Sequence, residues 1–156
     1  IALGAATREF VRYYEADPVS HTTAFDGVSD IVARFARLGL KQGVCTNKFE
    51  RPARTILEHL KLMPPISDVA GADTFPVRKP DPKHILMLLA RMGADPGRAV
   101  MIGDSIHDAE AAHGAGIPAV LVSWGYTVKP ASELGADAVI DRFDGLPDAL
   151  GRLAVR

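Results

Sequence analysis

Ala99-Val100-Met101-Ile102-Gly103-Asp104-Ser105-Ile106-His107-Asp108 closes an apolar run with a glycine and two carboxylates four positions apart. A short apolar run bounded by a turn signal reads as a strand buried inside a parallel sheet. The small-residue stretch that follows, to about Ala115, reads as a helix. Asp104 then sits at the carboxyl end of the strand and Asp108 in the first helical turn. Open α/β sheets bind their ligands in the crevice above that edge. Hard oxygen donors there suit Mg²⁺, which takes one or two carboxylates and leaves the rest of its shell to water and phosphate. Standing alone, the same string also fits a turn glycine with capping aspartates.

Outward from this stretch the chain alternates helices and strands. Val28, Ile31, Val32, Phe35 and Leu38 recur at helical spacing, and Gly39 ends the run. Leu40 to Thr46 reads as a strand, and Glu50 to Leu60 as a helix with Pro52 in its first turn and Ala53, Ile56, Leu57 and Leu60 inward. A short strand follows near Val69-Ala70. A third helix runs from Pro82 to Met92, capped by Asp81, with Ile85, Leu86, Leu89 and Met92 on its core side. Downstream, Ala119 to Val122 and Ala138 to Ile140 read as strands, and Leu146 to Leu153 as a closing helix. This order predicts an α/β domain: a three-layer, Rossmann-like parallel sheet with right-handed crossovers. Before it, Thr7 to Ala16 reads as a short helix stopped by Asp17-Pro18, and Val19 to Phe25 as a connector.

Composition narrows the classes. At 156 residues with 47% apolar content, the chain suits one domain with a real core. Its 18 Lys+Arg against 19 Asp+Glu leave no basic surplus for nucleic acid. No apolar stretch approaches the ~18 residues of a membrane span. The single cysteine, Cys45, lies in an apolar run, forms no internal disulfide, and fits a reducing, cytoplasmic compartment.

Two further strings share the edge that carries Asp104. Cys45-Thr46-Asn47-Lys48 ends one strand, where a hydroxyl and the backbone N–H groups of a helix entry can hold a phosphoryl oxygen. Arg78-Lys79-Pro80-Asp81-Pro82 frames a lysine between prolines that stiffen its loop. Its ammonium can offset charge on a transferring phosphoryl group. Separately, each string is also what a helix cap or a solvated loop lysine looks like. Together, in register with the βα pattern, they converge on one sheet edge.

With these strings the chain resembles the haloacid-dehalogenase-type (HAD) superfamily of phosphohydrolases, and within it the phosphoglycolate phosphatase group. Val44 to Lys48 resembles the family's second motif, Arg78 to Pro82 the third, and Met101 to Asp108 the fourth. Ala111 to Ile117 and Trp124-Gly125-Tyr126 are similar to stretches that follow the fourth motif in this group. The resemblance implies that residues 23–156 form a HAD-like core and residues 1–22 the end of a helical cap with its return linker. It implies that Thr46 holds the transferred phosphoryl group, with Asn47 as a polar contact beside it. Lys79 would offset its charge. Asp104 would bind Mg²⁺ directly, and Asp108 would act through a metal-bound water or by orienting Lys79.

The family's first motif, an apolar strand ending in Asp-x-Asp, does not occur in these residues. Its first Asp is the nucleophile and its second the general acid/base. Asp26, in Ala24-Phe25-Asp26-Gly27-Val28, has no buried strand before it and reads as a turn and helix entry. In the family that strand is central, so a core without it exposes two strand edges. The expectation is therefore a natural polypeptide longer by about 60–80 residues at its N-terminus.

The leading functional expectation is a Mg²⁺-dependent phosphomonoesterase on a small phosphorylated metabolite, 2-phosphoglycolate by resemblance. It would work through an aspartyl-phosphate in the complete enzyme, as a monomer or homodimer, and the present chain alone would have no turnover. Two alternatives stand beside it. One is a catalytically degenerate module that binds a phosphorylated ligand or a partner protein. The other is a haloacid dehalogenase, against which the paired carboxylates argue.

Overall fold

The computed structural model describes Gly4, Glu9, Asp17 and residues 19–154. The cap remnant expected over residues 1–22 and its helix over Thr7–Ala16 lie outside the described residues, save for those few positions.

Over residues 28–154 of the described residues, five strands and five α-helices follow in the expected order: α1 (Val28–Arg37), β1 (Gly43–Cys45), α2 (Glu50–His59), β2 (Asp68–Ala70), α3 (Lys83–Arg91), β3 (Met101–Gly103), α4 (Ile106–Gly114), β4 (Ala119–Val122), β5 (Ala138–Ile140) and α5 (Leu146–Ala154). All strand pairs are parallel. β1 pairs with β2, Val44 opposite Val69, and β3, β4 and β5 form a second sheet, Ile102 opposite Val120 and Leu121 opposite Val139. Among the described residues β1 and β3 do not pair, so the sheet is divided between them. The expected gap in the HAD core falls at that division.

Side-chain alternation sends β4 to two different layers. Ala119 and Leu121 pack with Ile85 of α3 and with Ala109, Ala111 and Ala112 of α4. Val120 and Val122 pack on the other face with Ile31 of α1 and Leu146 and Ala149 of α5. All four β4 residues are buried, as a central parallel strand requires. Each fully buried Leu, Ile or Val contributes about 1.5–3 kcal/mol. The small alanines let α4 lie close on the sheet. Helix α1 crosses the division: Ile31 belongs to the β3–β5 side, while Val32 packs with Leu62 and Ile66, beside Val44 and Leu57.

Element ends differ from the sequence reading for identifiable reasons. At the end of α1, Gly39 adopts φ +75°, its N–H bonds the Ala36 carbonyl, and the N–H of Leu40 bonds that of Phe35. This Schellman turn carries Leu38 and Leu40 out to solvent, so neither joins the core or the strand expected there. The helix α2 ends the same way, but with Lys61 at φ 57° where a glycine would be the usual signal. Strand β1 shortens to three residues. In α3 the buried positions are His84, Ile85 and Leu88, one step round from the face expected. Asp81 does cap this helix, its carboxylate accepting from the Lys83 N–H at 2.9 Å.

Candidate active site

β1 and β3 both end at one edge of the fold, and the residues that follow them, Thr46 and Asp104, stand there. Between them comes Lys79, from the loop that joins β2 to α3. Its Nζ donates to the Cys45 carbonyl at 2.7 Å and to Asp108 Oδ1 at 2.5 Å. The side chains of Lys79 and Asp108 are 10% and 4% exposed, so the pair is nearly dry. The two strand ends are thus joined by an ammonium rather than by backbone hydrogen bonds. Asn47 Nδ2 donates to the Lys79 carbonyl at 3.0 Å and ties the lysine loop to the end of β1. Thr46 Oγ1 accepts from the Lys48 N–H at 3.1 Å, which sets the hydroxyl in the turn into α2.

Asp108 accepts four hydrogen bonds. Oδ1 takes Lys79, while Oδ2 accepts from the Asp104 N–H at 3.1 Å, the Ser105 N–H at 3.0 Å and Ser105 Oγ at 2.7 Å. Asp108 thus crowds three of its four donors on Oδ2 and leaves Oδ1 to the ammonium. Burial pushes its acidity down, but the Lys79 ammonium and the Ser105 and Asp104 donors outweigh burial, and the pKa lies below the usual carboxylate range. Of the two routes expected for Asp108, this arrangement displays the orienting of Lys79. Gly103 is required beside it: a Cβ there would come within 2.4 Å of the Asp108 Cβ and Cγ.

Asp104 differs. It is half-buried, and its Oδ2 accepts only a long 3.3 Å bond from the Tyr126 N–H. Oδ1 has no hydrogen-bond partner among the described residues. Gly125 presses against it, where a Cβ would stand 2.4 Å from the Asp104 Cβ. Among the described residues, no three His, Cys, Asp or Glu side chains gather closely enough to hold a metal ion. The donor set therefore fits a cation that takes one or two carboxylates and completes its shell with water and phosphate, as Mg²⁺ does, and does not fit a caged ion.

The remaining candidates fall into place around this centre. Asp26 is exposed in the turn before α1. His107 is exposed on α4, 3.7 Å from Glu110. Trp124 packs with the β3–β5 core and edge-on to Phe25, while Tyr126 is almost fully exposed on the rim. Burial pushes the Cys45 thiol up to about 11, despite the pull of Lys79. Ser105, which carried no reading of its own in the sequence, holds Asp108 through its N–H and its hydroxyl. His84 went unread as well, since a histidine beside Ile85 carries no spacing signal.

The parallel α/β core thus presents a hydroxyl and an open carboxylate at its strand ends, with a buried ammonium from a loop between them. The chain belongs to the haloacid dehalogenase-like hydrolase family, whose model matches residues 3–122. It is similar to the phosphoglycolate phosphatase of Rhodospirillum rubrum, 43% identical over 150 residues, which are 96% of this chain and 62% of that protein. The phosphoglycolate phosphatase of Caulobacter vibrioides is 41% identical over 145 residues, 93% of this chain and 61% of that protein. Among solved structures, that of a predicted phosphoglycolate phosphatase from Haemophilus somnus superposes with a TM-score of 0.86 at 26% identity, covering 92% of this chain and 64% of that one. The chain thus spans less than two thirds of the length of each of these relatives.

Proposed function

We propose that the complete protein is a Mg²⁺-dependent phosphomonoesterase acting on a small phosphorylated acid, with 2-phosphoglycolate favoured by its relatives' names. The observation that carries this reading is the buried Lys79 ammonium, fixed between Cys45 and Asp108 at the edge shared by Thr46 and Asp104. An ammonium held there needs no reorganisation to meet a phosphoryl group. Thr46 Oγ1 and the N–H groups of the turn into α2 supply donors to its oxygens, and Asn47 keeps the lysine loop against that turn. Asp108 and the Cys45 carbonyl hold the lysine aimed. Asp104 would hold the metal, which screens the charges of phosphate and attacking carboxylate from each other. By resemblance that carboxylate is an aspartate of the first motif, phosphorylated and then hydrolysed, and these 156 residues do not contain it. The present chain alone should therefore have no turnover.

The test is a phosphate-release assay on the protein encoded by the complete gene, run over a panel of phosphorylated C2 to C6 metabolites. Activity that needs Mg²⁺ and falls by ~10²-fold or more in Lys79→Ala and Asp104→Asn is expected. A second reading is a module that binds a phosphorylated ligand without turning it over. An upstream sequence lacking Asp-x-Asp, with phosphate binding but no release, would favour that reading.

A further inference from the structure

His84 is fully buried at the start of α3 and takes no part in the site as described above. Its Nε2 lies 3.1 Å from the Gly71 carbonyl oxygen. A carbonyl only accepts, so Nε2 carries the proton and the ring is the neutral Nε2–H tautomer. Nδ1 then faces the interior as a bare lone pair, with no hydrogen-bond partner among the described residues. Burial holds the imidazole below its usual range, against the opposing pull of the Gly71 carbonyl; Lys79 and Asp81 are the charged groups that act on it.

The place of this bond in the chain gives it a purpose. Gly71 begins the loop between β2 and α3, His84 stands at its far end, and Lys79 lies between them. The bond closes the base of that loop. Other contacts build the same closure: the Gly71 N–H donates to Thr74 Oγ1 at 2.8 Å, and Thr74 Oγ1 donates to Glu50 Oε2 at 2.6 Å. Phe75 packs edge-on to the His84 ring, 6.0 Å between centroids, and the Arg91 guanidinium covers Phe75 at 5.1 Å. Gly71 itself cannot change, because a Cβ would meet the Glu50 backbone N at 2.2 Å. Among the described residues, the Asn47 bond to the Lys79 carbonyl is the one hydrogen bond that steadies the lysine's own backbone from outside the loop.

From this geometry we infer that His84 is a positioning residue: its bond to the Gly71 carbonyl fixes the loop from which Lys79 reaches Cys45 and Asp108. The link to phosphate rests on the function proposed above, but the link to the loop does not. Three forms of the complete protein decide it: unsubstituted, His84→Phe, which keeps a flat buried ring without the donor, and His84→Gln, whose Nε2 restores one. In the unsubstituted protein, ring ¹⁵N shifts should report the Nε2–H tautomer. In His84→Phe, amide exchange over residues 71–83 should rise about tenfold, as loss of one hydrogen bond implies, and affinity for inorganic phosphate with Mg²⁺ should fall about tenfold. His84→Gln should return both to within about threefold of the unsubstituted protein.

An Nδ1–H tautomer, or unchanged exchange over 71–83 in His84→Phe, overturns the inference. So does a loosened loop with unchanged phosphate affinity. If the unsubstituted protein binds no phosphate, the proposed function fails, and exchange and tautomer still decide the role of His84. If His84→Phe does not fold, the tautomer and the exchange profile of His84→Gln decide it.

Discussion

The Lys79–Asp108 pair allows a quantitative prediction, because its two ends are unequally supported. At 2.5 Å and an effective dielectric of about 20, the direct attraction is roughly 6–7 kcal/mol. Desolvating two nearly buried charges returns several kcal/mol of that. Lys79→Met leaves the carboxylate three other donors, from Asp104 and Ser105. Asp108→Leu instead strands those donors and leaves Lys79 with the Cys45 carbonyl alone. Single losses of about 3–5 kcal/mol follow, with Asp108→Leu the larger. At about 2–4 °C per kcal/mol for a domain of this size, Tm should fall by roughly 6–20 °C. The double variant should cost less than the sum by about 1–3 kcal/mol. Urea and thermal unfolding of the four proteins measure all of this. Additive losses, or singles under about 1 kcal/mol, would refute the reasoning.

Three further outcomes follow from other parts of the molecule. Burial raises the pKa of Asp68, but its bonds to Arg91 at 2.6 and 2.8 Å and to Arg54 at 3.2 Å outweigh burial and lower it. Its contribution is therefore present above the unfolded pKa of about 3.9 and lost as pH falls through the folded value. Asp68→Asn should flatten the acid limb of stability against pH, and an unchanged limb would contradict this. Gly103→Ala places a methyl where the Asp108 carboxylate stands and should cost about 1–3 kcal/mol in denaturant titration. Cys45, with a thiol pKa of about 11, should resist alkylation at pH 8 until the protein is unfolded, as a timed thiol-labelling assay would show.

Much of the architecture was legible because periodicity and punctuation agree in this chain. The four-residue apolar run Ala119–Val122 and the glycines after α1 and α3 carry their signals in local residue types. The end of α2 was blurred because Lys61 takes the left-handed position without announcing it. Strand ends were overrun where leucines turned out to lie on a solvent-facing Schellman turn. For the site, the residue types at two strand ends and in the β2–α3 loop were readable. What could not be read was the division of labour. That Asp108 accepts from Lys79, Ser105 and Asp104 at once depends on how closely α4 packs under Gly103. The role of His84 depends on a contact thirteen residues back along the chain, for which one sequence contains no sign.

The most direct test of the account is a crystal structure of the protein soaked with Mg²⁺ and tungstate, a heavy phosphate mimic. The account predicts metal on Asp104 Oδ1 and the oxyanion between Thr46 Oγ1 and Lys79 Nζ, with the Lys79–Asp108 pair intact. An oxyanion bound elsewhere, or metal taken up by Asp108 in place of Asp104, would contradict it.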